Sequence, residues 1–195
     1  MRIDLMAAIF AAAMFGALPA NADDGDMSPE EQAVVEAMDA ALPGSLLHNP
    51  LRMAWNNSGS DLKLKVVPAA ELTTGEAIQA RNKKRQGKPW DTNLNLTLPE
   101  GVSSGDTIEV YFWLRTAKPA SGSETAKVDL FVGRNTEPYD AIIAEELTPG
   151  TEWELKSTKA TAGANFPAGE IKLEYQFGRA SQTVEVGPVY VSKLD

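Results

Sequence analysis

Few side chains in this sequence could carry covalent chemistry. The one histidine is His48, beside Pro50 in a loop-like stretch, and cysteine is absent. Without thiols there is no disulfide framework, zinc knuckle or cysteine nucleophile. A lone loop histidine is more often a surface residue than a general base. Glu145 and Glu146 are adjacent, yet neighbours on a strand face opposite ways and cannot flank one bond as a glycosidase pair must. "GVSSG" (Gly101–Gly105) stands without the strand-to-helix context of a nucleophile elbow. Catalysis is therefore not expected.

A second group of residues suits non-covalent recognition. "KPWDTNLNL" (Lys88–Leu96) sets Trp90 behind a proline and alternates Asp91, Asn93 and Asn95 with leucines. "TIEVYFWLRTA" puts Trp113 and Arg115 on the face opposite Ile108, Val110, Phe112 and Leu114, and "IKLEYQFG" leaves Lys172, Glu174 and Gln176 opposite Ile171, Leu173, Tyr175 and Phe177. Planar amides, carboxylates and guanidinium groups can pair adjacent hydroxyls, and flat rings can cover the C–H face of a sugar. Trp90, Asp91, Asn93, Trp113, Arg115 and Gln176 are thus the candidate ligand-binding residues, expected on one sheet face. Each has a plainer reading beside it: Trp90 or Trp113 packed under a loop, and Arg115 in a cross-strand ion pair with Glu174 or Glu109.

These residues need strands to position them. From Leu62 the apolar period is two, and the segments 62–67, 77–82, 93–98, 107–117, 126–132, 139–146, 152–159, 170–177 and 183–192 read as strands between Gly-, Pro-, Ser- and Asn-rich turns. Many short strands without βαβ alternation predict an antiparallel sandwich or barrel. Ahead of them, "SPEEQAVVEAMDAALPG" offers Ser28 as N-cap, Pro29 at the first helical position, Glu31 to close a capping box and Pro43-Gly44 as a stop. The apolar stripe of this helix, Val34, Met38 and Leu42, must dock on something. Residues 1–22 have the layout of a cleavable export signal: Arg2, an apolar run, then Ala20-Asn21-Ala22. The expected organisation is signal peptide 1–22, spacer and amphipathic helix 23–45, and a β domain 46–195, exported to the periplasm or beyond the cell.

A net charge of −9 over 195 residues argues against nucleic acid, which requires a basic footprint. The basic run Arg81, Lys83, Lys84, Arg85 and Lys88 reads as a solvated loop first and a polyanion site second. No apolar run reaches the length of a membrane span.

The order of "GEAIQARN", "KPWDTNL", "SSGDTIEVYFWLRTAKP", "TEWELKS", "KLEYQFGRASQ" and "VEVGPVYVSKL", from Gly75 to Leu194, resembles carbohydrate-binding modules of the family 4/9/22 type. The resemblance implies an all-β, two-sheet antiparallel jelly-roll sandwich that binds a polysaccharide or oligosaccharide without catalysis, here preceded by a short helix. Trp90 and Asp91 match the family's "PWD", Trp113 and Arg115 its "FWAR", and Gln176 its "FQLG". Two departures bear on the structural calcium that the family often carries. "LLHNPLRMAWNNSGSD" stands where an "NGDFE" strand is usual, and Gly187-Pro188 replaces an Asp-Asn. No cofactor is required; Asp61, Asp91, Asp129 or Asp195 could offer oxygen ligands to calcium, but their spacing does not demand it. Other functional readings are a structural or protein-interaction domain of a cell-envelope complex, its partner docking on the Ser28–Leu42 helix, and a small esterase or lyase on the same fold.

Overall fold

The structure, a computed structural model, describes residues 27–194; the segment expected to direct export lies outside them. Helix α1 (Pro29–Ala41) begins at the expected capping box: Ser28 Oγ accepts from the Glu31 N–H at 3.2 Å, and Glu31 Oε2 accepts from the Ser28 N–H at 2.9 Å. Eleven strands follow: β1 (Ser45–Leu46), β2 (Asn56–Ser58), β3 (Leu62–Pro68), β4 (Glu76–Asn82), β5 (Asn93–Leu98), β6 (Thr107–Lys118), β7 (Val128–Arg134), β8 (Ala141–Leu147), β9 (Glu154–Thr161), β10 (Ile171–Gln176) and β11 (Gln182–Leu194).

They form two antiparallel sheets. The back sheet runs β3-β4-β11-β6-β9, with β1 also on β11; the front sheet runs β2-β5-β10-β7-β8. From β4 to β11 the chain changes sheet at every connection except β7 to β8, so each sheet is built from strands distant in sequence. The result is the expected all-β jelly-roll sandwich with a short N-terminal helix.

The alternating leucines, isoleucines and valines read from the sequence fill the space between the sheets. Leu94, Leu98, Ile108, Val110, Ile171, Leu173, Tyr175 and Phe177 are all inaccessible to solvent. Trp55 joins this core, its ring 6.1 Å from that of Tyr175. Helix α1 lies on the outer side of the back sheet, where Met38 and Leu42 pack with Tyr111, Tyr190 and Leu155. Its entry is fixed by the Arg52–Glu31 ion pair at 2.9 Å, and Asp39 accepts the Leu46 N–H at 2.6 Å. The apolar stripe of the helix thus has its partner within the chain. His48, expected at the surface, is instead buried; its Nε2 accepts the Val191 N–H at 3.3 Å. The cause is the docking of the 42–50 segment along β11, which encloses the ring.

Candidate functional site

The outer face of the front sheet is laid out by strand register. Asn93 and Asn95 on β5 stand directly opposite Gln176 and Glu174 on β10, which in turn stand opposite Asp129 and Phe131 on β7. Thr97, Lys172 and Gly133 form the next row, and Asn56 and Ser58 of β2 extend the two upper rows at the edge.

Groups on this face are bound to one another. Asn93 Nδ2 donates to the Trp90 carbonyl at 2.9 Å, and Asn95 Nδ2 donates to Asn93 Oδ1 at 2.9 Å. Glu174 accepts from Gln176 Nε2 at 2.8 Å and from Lys172 Nζ at 2.6 Å. At only 2% exposure, a carboxylate without those donors would carry a heavy desolvation cost. Asp129 receives both Nε and Nη2 of Arg179 at 2.6 Å, and Arg179 Nη1 also reaches Glu146 at 3.0 Å. The Asp129 hydrogen bonds raise the Arg179 pKa, holding the guanidinium charged. The floor is therefore a pre-arranged polar network whose amides keep unused donor and acceptor positions.

Aromatic rings bound it at both ends. Trp90, half exposed, sits in a one-turn 3-10 helix (Pro89–Asp91) at the Asn93 end, with Lys88 Nζ 5.3 Å from its ring centre. At the other end Lys172 Nζ lies 5.4 Å from the Phe131 ring and 5.8 Å from that of Tyr139. Gly133 makes room for this arrangement: a Cβ there would approach Phe131 Cζ to 2.8 Å. Tyr139 is half exposed at φ 55°, a backbone region that is costly for a bulky residue. The rows of Gln176 and Lys172 are four residues apart along β10, roughly 13 Å at the strand rise.

The Trp90 turn is clamped from two sides. Gly178 N–H donates to the Pro89 carbonyl at 2.9 Å, and a Cβ on Gly178 would meet that oxygen at 2.6 Å. A Cβ on Gly59 would meet the Asp91 carbonyl at 2.5 Å. Asp91 accepts the Lys88 N–H through Oδ2 at 3.0 Å. This local bond, with Pro89 fixing φ, folds Trp90 and Asp91 into a turn where the sequence pattern suggested a strand.

Of the six candidate residues, Asn93 and Gln176 meet directly on this face, and Trp90 stands at its end. Asp91 is beside it, its carboxylate turned to the Lys88 backbone. Trp113 and Arg115 do not join them, because β6 belongs to the back sheet. There Trp113 packs with Ala69, Leu72, Ala77 and Trp153. Arg115 Nε donates to Glu185 at 2.7 Å, and its guanidinium lies 4.7 Å from the Trp153 ring centre. The expectation of one shared surface is thus corrected: a sandwich separates the outer faces of its two sheets. Arg115 is ion-paired as in its plainer reading, but with Glu185 on the neighbouring strand β11 rather than with Glu174 or Glu109. Phe131, Tyr139 and the Lys172–Glu174 pair were not singled out from the sequence; outward alternation on β7 would have found Phe131.

The aspartates considered for calcium do not gather. Asp61 is held by Lys84 at 3.0 Å and Gln86 at 3.2 Å, which lower its pKa, while Asp129 is taken by Arg179. Asp195 lies outside the described residues, and among those described no group of three or more acidic or histidine side chains forms a ligand cluster. No helix among the described residues is long and apolar enough to cross a membrane.

No protein-family model matches the chain, and no curated protein matches it in sequence. Solved structures do match. The N-terminal cellulose-binding domain of Cellulomonas fimi β-1,4-glucanase C superposes with a TM-score of 0.54 at 19% identity, over 76% of this chain and 93% of that domain. A CBM4 carbohydrate-binding module superposes with a TM-score of 0.53 at 14% identity, over 71% of this chain and 86% of the module. The tandem CBM22-1–CBM22-2 domain of Paenibacillus barcinonensis Xyn10C gives 0.54 at 15% identity, over 78% of this chain and 46% of the tandem. At such identities the likeness establishes architecture, and the chain has the jelly-roll fold of these carbohydrate-binding modules.

Proposed function

We propose that this protein holds a polysaccharide or oligosaccharide on the outer face of its front sheet, without catalysis, after export to the periplasm or the extracellular space. The observation that carries this reading is the hydrogen-bonded floor of Asn93, Asn95, Glu174 and Gln176, bounded by the exposed rings of Trp90 and Tyr139. Amides fixed by their neighbours lose little freedom when they pair with hydroxyl groups, and each such bond contributes about 1 kcal/mol net. Rings at the ends would cover the apolar sugar faces. The cellulose-binding and other carbohydrate-binding modules that share the fold support the same ligand class.

The acids of this face, Glu174, Asp129 and Glu146, are each tied to a cation. A glycosidase needs one carboxyl free to give a proton and another free to attack or activate water, so these acids support binding rather than hydrolysis. The interaction-domain reading has less support, since the helix it invokes packs on its own sheet through Met38 and Leu42.

Native electrophoresis through gels containing soluble glucans, xylans and mannans tests the proposal. At least one neutral glycan should retard the wild-type protein, and Gln176→Ala or Trp90→Ala should weaken retardation about tenfold. Retardation by none of these glycans, or retardation unchanged in both variants, would reject it.

A further inference from the structure

Exposed cations with no carboxylate within 4 Å among the described residues collect at one end of the sandwich, the end at which Trp90 stands; of these, Lys83 adds to the field that keeps Asp61 ionised. Lys63 on β3 is the direct cross-strand partner of Arg81 on β4, Arg81 is opposite Thr183 on β11, and Thr183 is opposite Lys118 on β6. These four residues form one continuous row across the back sheet, about 15 Å long at the usual strand spacing. Lys83 and Arg85, in the loop from β4 to the Trp90 turn, continue the row around the end of the sandwich. All five cations are exposed, and among the described residues none forms an ion pair. By contrast Arg52, Lys84, Arg115, Lys127, Arg134, Lys172 and Arg179 each have a carboxylate within 4 Å. Of the nearby acids, Asp61 is engaged by Lys84, Glu185 by Arg115 and Gln79, and Asp91 by the Lys88 backbone.

Like charges directly opposite on neighbouring strands repel, and the Lys63–Arg81 pair stands in a chain whose net charge is −9. Lysines on an edge strand deter edge-to-edge pairing, which accounts for Lys63 and Lys65 on β3. It does not account for Arg81 on the interior strand β4, nor for Lys83, Arg85 and Lys118. The row is narrow and linear. A membrane surface would be met by a broad basic patch or an amphipathic helix, and duplex nucleic acid by a footprint larger than five cations on an acidic protein.

We propose that this rim binds a linear polyanionic glycan, one bearing carboxylate or sulfate groups along its length. The rim is separate from the front-sheet face, so it recognises charge where that face would recognise hydroxyl groups and ring faces.

The probes are dextran sulfate and polygalacturonate, with uncharged dextran as control, in native affinity electrophoresis of the full chain at low and at near-physiological salt. One of the two polyanions should retard the protein and dextran should not. Salt should weaken the effect, because exposed charges are screened within about 10 Å. Lys63→Gln/Arg81→Gln/Arg85→Gln should weaken retardation at least tenfold. Lys156→Gln/Lys159→Gln/Lys193→Gln, which removes equal charge elsewhere, should change it less than twofold. Equal losses in the two triple variants, no retardation by either polyanion, or capture only by vesicles containing phosphatidylglycerol would overturn the proposal. Thermal melting confirms that each variant is folded. Retention on a neutral glycan should be unchanged by the rim variant, so failure of the rim and failure of the front face are read separately.

Discussion

Asn93 and Gln176 are direct cross-strand partners on the outer face of the front sheet, 83 positions apart in the chain. Asn93 holds the carbonyl of Trp90, and Gln176 holds the carboxylate of Glu174. The two amides, 7% and 8% exposed, thereby stand side by side between the aromatic end of the face and its buried acid.

Gly178 should be intolerant of a side chain. Gly178→Ala drives a methyl group against the Pro89 carbonyl, an overpacking that costs about 1–3 kcal/mol. The expected outcome is a lower denaturant midpoint and a shifted Trp90 fluorescence, measured against Trp90→Phe to assign the signal. A midpoint unchanged from wild type would contradict the clamp.

Lys172→Met should destabilise more than a surface lysine substitution. It leaves the Glu174 carboxylate, 2% exposed, with Gln176 as its remaining donor. Breaking a fully buried pair costs 3–5 kcal/mol; since Lys172 is itself one-fifth exposed, about 2 kcal/mol is expected. Lys172→Met/Glu174→Gln should recover part of that loss in urea unfolding.

Arg115→Ala should cost stability and leave glycan retention unchanged. Arg115 engages Glu185 and covers Trp153 on the back sheet, so its removal leaves a carboxylate that is 7% exposed with Gln79 Nε2, at 2.7 Å, as its neutral donor; a loss of about 2 kcal/mol is expected. Paired melting and affinity-gel measurements separate the two effects.

Stability should fall as pH drops from about 6.5 to about 4. Burial lowers the His48 pKa from 6.5 to about 4, so between these values the unfolded chain binds the proton and the folded one does not. The stabilisation is complete above the ordinary histidine range and lost as pH falls towards the folded value, a contribution on the order of 3 kcal/mol. His48→Gln should flatten this part of the pH–stability profile.

Period-two alternation revealed which way each side chain points, and Leu94, Leu96, Ile171, Leu173 and Tyr175 are buried as that pattern predicts. It carried no information on which sheet a strand joins. Strand β6 reads much like β10, with an apolar face and a mixed face, yet its partners β9 and β11 place it at the back while β5 and β7 hold β10 at the front. Sheet membership depends on pairings between residues 37 to 87 positions apart, which one sequence does not display. That is why Trp113 and Arg115 were grouped with Asn93 and Gln176. Tyr139 was missed for a local reason: it reads as the first residue of a strand, but lies in a turn with its N–H on the Thr136 carbonyl.

The most direct test maps the bound ligand onto the sheets. In an NMR titration with the soluble oligosaccharide of whichever glycan retards the protein, side-chain amide signals of Asn93, Asn95 and Gln176 and the Trp90 indole should shift saturably. Signals from Trp113 and Gln79 on the back sheet should stay within noise. Shifts confined to the back sheet, or spread evenly over both, would contradict the assignment of the front face.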